Sequence, residues 1–463
     1  MMKLNREIDC KVCARCMVAC PKEAIQFKKG RFNYFPQVNS SCIQCGACER
    51  ACNSRIRENR SKVEEFYVGY SKEQKIVEKS SSGGIFLQLA AYILKKNGIV
   101  FGASFDEMTR TIKHIGVTNY KDLSKLRKSK YVQSNWSDII SEVDKAINAD
   151  RYILFTGTPC QVSTIYEKYY NHEKLFCMDL FCHGVINAQL LIDYIDLFQT
   201  KITSVDFRTP SDYNNYSLAL YSGEELVLKE DCEENIFYKL FITSAGIKKS
   251  CFECEYSTKK HLSDITVGDF DNISYCREHN ILCKTPSIIA INTEKGKLFL
   301  EEIIENLHIE KIEDKKVISS YYRNHTSEMG LWGYDEKYRK NFCHNYLKDG
   351  FLISCIETMY PEEYALIIEL EKYSDIKIFL YGAGMRGSII YRCIRLLRPK
   401  LIVEGYVVTK RTELTTKDGL KIYEIDEIDC EDKNNIFVVS VYGNLKEQIV
   451  SELKNRNAKM ILE

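Results

Sequence analysis

Two runs of cysteine dominate the chemistry that this sequence can do. "CKVCARCMVAC" holds Cys10, Cys13, Cys16 and Cys20, and "CIQCGACERAC" holds Cys42, Cys45, Cys48 and Cys52. Each member of the second run lies 32 positions after its counterpart, so the pattern is an internal repeat. Three thiolates at this spacing can wrap one side of a cubic iron–sulfur core, while the fourth reaches away to a second core. The spacing predicts one 4Fe-4S cluster on Cys10, Cys13, Cys16 and Cys52, and another on Cys42, Cys45, Cys48 and Cys20. Pro21 gives the usual Cys-Pro ending, whereas Asn53 departs from it. Gly46 would let backbone pass close to inorganic sulfide. Zinc sites favour two pairs of cysteines over two runs of four.

The segment from about residue 5 to 58 resembles a bacterial-type dicluster ferredoxin. Residues 1–60 carry 12 Lys and Arg against 5 Asp and Glu. A positive electron port suits an acidic redox donor protein, a ferredoxin or flavodoxin. The same charges equally serve to balance the clusters or to dock the segment on its own chain.

The elements that must position further chemistry begin at residue 66, where strands and helices alternate. "SSSGGIFLQLAAYILKKNGIVFGASFD" reads as loop, helix, glycine stop and strand. Small residues at Ser80 to Gly84 leave backbone N–H groups free at a helix start, which suits a phosphate, although serine and glycine are also ordinary helix starts. "RYILFTGTPCQVSTIY" repeats the scheme with a strand over about 151–156, and "LFCMDLFCHGV" is another strand, ending at Cys182-His183-Gly184. "SVDFRTP", "SCFECEYSTKKHLSDITVGDF" and "PSIIAINTEKGKLFLEEII" follow. The pattern is that of an α/β or α+β domain with a mixed sheet.

The order of "SSSGGIF", "KLRKSKYVQS", "LFTGTPCQV", "FCHGV", "SCFEC" and "DITVGDF" over residues 66–325 resembles the coenzyme F-420 hydrogenase/dehydrogenase beta-subunit family. The resemblance implies an iron–sulfur flavoprotein oxidoreductase that binds FAD and passes electrons between clusters and a hydride carrier, coenzyme F-420. It implies a flavin site at Ser81, Ser82, Gly83, Gly84, Lys130, Tyr131, Thr156, Gly157, Thr158 and Pro159. By residue chemistry Cys160 and Cys182 read equally as buried thiols, and the Cys251/Cys254 pair as a zinc half-site. The resemblance instead implies that these four hold a third 4Fe-4S cluster. His183 is the candidate catalytic residue, as a proton relay beside the flavin. A structural hydrogen bond is an equal reading for it. Asp264 and Asp269 are candidates to orient cofactor or substrate, or else cap turns. "KKHLSDIT" lacks an arginine that the family often has there, and Asp271 stands where it often has Trp. Both departures fall on the substrate side and put coenzyme F-420 itself in question.

Residues 326–370 read as a helical linker. Residues 371–463 read as a small Rossmann-like domain, with Gly382, Gly384 and Gly387 in a strand-to-helix turn and Glu404, near the end of the next strand "LIVEGYVV", as the acid about twenty residues on. A nucleotide site and a docking module both fit that pattern, and Arg386 would meet a phosphate or solvent. The expected fold class is α+β and α/β multidomain: a ferredoxin-like dicluster domain (1–60), a mixed-sheet flavin domain (66–325) and the Rossmann-like domain. The balance of 65 basic and 64 acidic residues gives no bulk argument for nucleic acid. No stretch is long and apolar enough for a membrane span. With no apolar leader at the N-terminus, the chain reads as cytoplasmic, and its 20 cysteines as metal or redox chemistry rather than disulfides. Eight other cysteines, at 177, 232, 276, 283, 343, 355, 393 and 430, read as small buried hydrophobes. Competing functions are a non-catalytic electron-transfer subunit docked on a partner subunit, and a redox accessory to surface-polysaccharide modification.

Overall fold

The computed structural model describes residues 7, 9–53, 65–170, 172–210, 216–252, 254–257, 261–323, 336–373 and 376–463. The chain forms two compact units, Met1–Lys340 and Asn341–Glu463. The architecture is mixed α/β with several sheets.

The first unit begins with a hairpin of β1 (Ile25–Lys29) and β2 (Tyr34–Val38), beside the short helices Arg15–Val18 and Ala47–Asn53. Its main sheet contains β3 (Glu65–Ser71), β4 (Ile99–Asp106), β5 (Thr111–Val117), β6 (Ile153–Thr156) and β7 (Leu175–Leu180). A smaller sheet follows, of β8 (Ser204–Pro210), β9 (Tyr216–Ser222) and β10 (Glu225–Asp231). The chain then returns to the main sheet with β11 (Ile265–Asp269), β12 (Ser287–Ile291) and β13 (Leu307–Lys311). The order across the main sheet is β13-β3-β12-β11-β7-β6-β4-β5.

Both faces of this sheet are covered. Leu154 packs with Leu89, Ile93 and Ile289, whereas Ile153 and Phe155 pack with Phe101, Trp136 and Val162. That is the period-two alternation of a strand between two apolar layers, and it is why β6 is apolar at nearly every position. Helix Ile85–Lys95 supplies one layer by burying Ile85, Leu89, Ile93 and Leu94. Gly84, at φ +84°, turns the chain into that helix; an added Cβ would meet Ile76 Cγ2 at 2.7 Å. Helix Pro159–Tyr169 starts with proline at its first turn, and Gln161 Oε1 accepts from the Thr158 N–H (3.1 Å) in a capping box.

Strands β11, β7, β6 and β4 run parallel. Their carboxyl ends therefore open on one edge, where parallel sheets gather ligands. The segments Thr156–Pro159, Phe181–Gly184 and Asp269–Asp271 leave from that edge. β12 is antiparallel to β11 and β3 antiparallel to β12, so β3 ends there too. The Ser71 N–H donates to Gly83 O (2.7 Å), which ties the serine–glycine loop to the same edge.

The second unit has the sheet order β16-β17-β15-β14-β18-β19. The strands are β14 (Lys377–Tyr381), β15 (Val403–Val408), β16 (Thr416–Lys417), β17 (Leu420–Glu424), β18 (Asn435–Val439) and β19 (Met460–Leu462). All pairings are parallel except β16 with β17. Helices Phe351–Met359 and Pro361–Leu370 pack on helix Met385–Leu397, with Leu366, Ile367 and Leu370 buried. The segment read from sequence as a linker thus contributes packed helices to this unit. One reading is corrected here. Val403 pairs with Ile378 and Val407 with Tyr381, so Glu404 lies at the start of β15, away from the glycine turn. The apolar run "LIVEGYVV" hid the strand's true beginning. No helix among the described residues is long and apolar enough to cross a membrane.

Candidate functional site

The two cysteine quartets are held by tightly curled backbone. Val12, Ala14, Gln44 and Gly46 all take positive φ, at 56°, 59°, 55° and 69°. For a β-branched valine that is an outlier, and here it turns amide groups toward sulfur. Val12 N–H donates to Cys10 Sγ (3.3 Å) and, at the matching place in the repeat, Gln44 N–H to Cys42 Sγ (3.4 Å). Ala24 N–H donates to Cys20 Sγ (3.3 Å). Burial pushes the Cys10 thiol up to about 11, with the neighbouring Cys13 and Cys52 adding to the rise. Burial also raises Cys16, which feels Cys13, Cys10, Cys52 and Cys48. Cys52 therefore stands near Cys10 and Cys16, and Cys48 is a neighbour of Cys20. Cys45 is exposed and Cys42 half-buried.

A third group draws on three separate segments. Cys182 feels Cys251, Cys160 and Cys254. Burial pushes Cys254 up to about 12, with Cys251 and Cys160 adding. Gly184 N–H lies 3.4 Å from Cys182 Sγ, and Thr158 Oγ1 lies 3.2 Å from Cys160 Sγ. Burial likewise raises Cys13, which feels Cys160, so the first and third groups adjoin. The join is well bonded. Trp136 Nε1 donates to Val12 O (2.8 Å), Thr164 Oγ1 to Cys13 O (2.6 Å) and Ser250 Oγ to Cys10 O (3.3 Å). Arg15 pairs with Glu167 at 2.5 Å and Lys11 with Glu255 at 3.0 Å.

No three His, Cys, Asp or Glu side chains among the described residues are gathered as a single metal ion requires. An iron–sulfur cube makes a different demand, since each thiolate takes its own corner iron and the sulfurs stand farther apart. The donor chemistry fits such a cube. Burial and neighbouring thiols both oppose thiolate formation at Cys10, Cys16, Cys182 and Cys254, and a cationic iron core offsets both.

Beside the third group, one side chain ties the flavin-site candidates together. Arg208, at the end of β8, donates to Tyr131 OH (2.8 Å) and Ser81 O (2.9 Å), and it pairs with Asp269 (2.8 Å). Its guanidinium lies over the Tyr216 ring, 4.2 Å from the centroid. Ser81 Oγ accepts from Ser129 N–H (2.9 Å). Tyr131 packs on Phe241 and Tyr238, at 4.5 and 5.4 Å between ring centres. Ser82 Oγ meets Ser287 Oγ at 2.8 Å, and Gly83 N–H donates to Ser287 Oγ at 3.0 Å. A Cβ on Gly83 would meet Gly69 O at 2.4 Å, so close packing on β3 already requires glycine there. Lys130 Nζ donates to Arg127 O (2.6 Å) and Lys125 O (3.1 Å), and burial lowers its pKa to about 7.

Thr156 Oγ1 donates to Phe101 O (2.9 Å), and Thr156 O lies 3.0 Å from His114 Nε2. A Cβ on Gly157 would meet His114 Nε2 at 3.1 Å. Burial lowers the pKa of His114 to about 4, which keeps this imidazole neutral at pH 7. Burial also lowers His183, against the opposing pull of Asp269 and Asp271 nearby. Asp264 turns inward, accepting from Cys177 N–H (2.8 Å) and Thr293 Oγ1 (2.7 Å), and so has a structural role. Sequence reasoning missed Arg208. Its one signal was a lone cation near the end of "SVDFRTP". It also missed a buried pair: His261 Nδ1 is 2.9 Å from Asp179 Oδ2, and Thr266 Oγ1 is 2.5 Å from Asp179 Oδ1. His261 belongs to the "KKHLSDIT" run.

In the second unit the glycine turn has the packing of a Rossmann start. Gly382 is at φ +123°, and a Cβ on Gly387 would meet Gly382 O at 2.4 Å. Nothing stands within 4 Å of a Cβ on Gly384. The polar groups nearby are engaged by the protein itself. Lys417 Nζ donates to Ala383 O (2.7 Å) and Gly384 O (3.0 Å). Asp418 Oδ2 accepts from Ser388 (2.6 Å) and Tyr406 (2.5 Å). Arg386 is buried, bonding Glu363 (3.2 Å) and Val441 O (2.8 Å). It borders an open cavity of about 550 Å³ shared with Glu362, Glu369, Tyr442 and Lys446.

Comparison with known proteins decides the family. Residues 66–141 match the family model for the N-terminal part of the coenzyme F-420 hydrogenase/dehydrogenase beta subunit, and residues 150–315 match that for its C-terminal part. The two matches cover more than half of the chain. The chain belongs to the coenzyme F-420 hydrogenase/dehydrogenase beta-subunit family. Membership places this beta-subunit relative among proteins of redox electron transfer. Among solved structures it is similar to a chain of the xenon-derivatized F-420-reducing NiFe hydrogenase complex from Methanosarcina barkeri. That likeness has 16% identity and a TM-score of 0.41, and it covers 62% of this chain and 96% of that one. No curated protein matches the sequence.

Proposed function

We propose that this beta-subunit relative is an iron–sulfur flavoprotein oxidoreductase. Cys10, Cys13, Cys16 and Cys52 would hold one 4Fe-4S cluster, and Cys42, Cys45, Cys48 and Cys20 a second. Cys160, Cys182, Cys251 and Cys254 would hold a third, and FAD would lie along the edge formed by Ser81–Gly84, Lys130–Tyr131 and Thr156–Pro159. When bound, the clusters supply one-electron steps and the flavin couples them to two-electron hydride exchange with a soluble acceptor, coenzyme F-420 or another carrier. The protein's own part is positioning. Arg208 fixes Ser81 and Tyr131 against Asp269, and the half-buried Tyr131 ring, backed by the buried Phe241 and Tyr238, would limit water there. His183, whose pKa burial lowers against the pull of Asp269 and Asp271, would relay a proton beside the flavin. The observation that supports the reading most is one meeting of parts. Four cysteines from three segments lie on the sheet edge that carries the proposed flavin loops, and they adjoin Cys13.

Anaerobic purification with iron, sulfide and flavin measured together tests this. About twelve irons and one flavin per chain are expected. Iron-free protein, or protein with zinc alone, removes the reading. The family description as a beta subunit favours a second reading, an electron-transfer subunit that works only beside a partner. Cluster-loaded but flavin-free protein selects that one.

A further inference from the structure

Lys248 is a buried cation that lacks the usual carboxylate. It is 3% exposed, and its ammonium donates to two neutral acceptors, Lys11 O (2.9 Å) and Gln133 Oε1 (2.7 Å). The cations around it are paired: Lys11 with Glu255, Arg15 with Glu167 and Lys249 with Asp9. Among the described residues, no Asp or Glu pairs with Lys248. An unpaired buried charge is costly, so an anion must offset it. The backbone says where. Lys248 N–H donates to Val185 O (3.2 Å), three residues past Cys182, and Lys248 O accepts from Cys251 N–H (3.0 Å). Its side chain then reaches to the carbonyl of Lys11, next to Cys10. One residue thus bonds the backbone beside Cys10 in the first cysteine group through its ammonium, and the backbone at Val185 and Cys251 in the third through its peptide groups.

Resting on the cluster assignment above, we propose that Lys248 is a positioning charge shared by the first and third iron–sulfur sites. It raises the reduction potential of both together. Net charge near a cluster is one of the terms that set its potential, and a fixed positive charge in a poorly polarisable interior favours the form with the extra electron. Because one ammonium serves both sites, the two potentials move in step and the difference between them is left unchanged. The second site, on Cys42, Cys45 and Cys48, gains less. No bond is made or broken in this role.

The test is an EPR-monitored redox titration of the full chain, anaerobically loaded, with Lys248→Met and Lys248→Arg. In the Met variant the ratio of reduced to oxidised cluster at a fixed applied potential should fall at least tenfold at two of the three sites. That corresponds to about 59 mV for a one-electron couple. The Arg variant should stay within about twofold of the parent. Gln133→Glu keeps the lysine and sets a carboxylate against it; the same two sites should shift in the same direction even if the Met variant does not fold. Unchanged potentials in a variant with parental iron and sulfide, or an equal shift at all three sites, overturn the proposal. Absence of iron from the parent protein would instead overturn the cluster assignment beneath it.

Discussion

The two quartets have the same spacing and different surroundings. The first is built into the body of its unit: Cys10 and Cys16 are each 7% exposed, and Trp136, Thr164, Lys248 and Ser250 bond the backbone around them. The second buries Cys48, at 3% exposure, but opens at its leading loop, where Cys45 is exposed and Ile43 is 58% exposed. Arg50 donates there to Cys45 O (3.2 Å). A duplicated motif has thus acquired an inner and an outer copy. The difference gives direction to the proposed electron path: contact with a soluble donor at the outer copy, and delivery through the inner copy toward Cys160.

Removing one thiol from each copy should break this asymmetry most visibly. Cys13→Ser and Cys45→Ser should each lose roughly four irons. The Cys45 variant should still accept electrons into its flavin from a small reductant, with donor-protein turnover down by tenfold or more. The Cys13 variant should lose both. Equal behaviour in a stopped-flow assay would erase the distinction between inner and outer.

Stability should show the same contrast on a smaller scale. Glu167→Ala strands the Arg15 guanidinium, whose side chain is 9% exposed. Allowing for the partly open carboxylate, about 1–3 kcal/mol should be lost in denaturant unfolding. Arg50→Ala at the exposed copy should change stability by about 0.5 kcal/mol or less. Comparable losses would mean that the outer copy is held as firmly as the inner one.

The smallest effect concerns pH at the proposed flavin edge, the far end of the proposed path. Lys130 has its pKa lowered to about 7 by burial, from 10.5. The unfolded chain therefore binds more protons than the native one between those values, and this residue's contribution to stability rises with pH across that window. An anion held beside Lys130 favours the charged form, so affinity for FAD should weaken as pH rises above 7. Titrations by flavin fluorescence at pH 6.5 and 8.5 should show the drop in the parent chain and a flat response in Lys130→Met. A drop of equal size in both would show that Lys130 does not face the flavin.

Much of this could be read locally. The quartets, the strand before Thr156, the helix after Gly84 and the strand-turn-helix at Gly382 follow from spacing and period, which short stretches carry. What could not be read depends on register between distant strands. Arg208 meets Ser81 and Asp269 only because β8 ends beside the edge that β11 shares with β7. Nothing in the local sequence around Lys248 points to its partners at 11 and 133, which lie on distant segments. Glu404 was misjudged for the opposite reason. Its distance from the glycines was right, but the pairing of Val403 with Ile378 put it at the wrong end of β15. The glycine turn itself teaches caution. Gly387 is demanded by contact with Gly382 O whether or not a nucleotide is present.

The bond from Trp136 to Val12 has an optical consequence. Of the two tryptophans in the chain, Trp332 lies outside the described residues. Trp136 is 1% exposed and anchored two residues from Cys10 and one from Cys13. An indole so placed would emit brightly from a metal-free chain and fall dark once a strongly absorbing iron–sulfur centre assembled next to it. Nature has, in effect, wired a light to the inner socket, and its dimming would time maturation without any added dye.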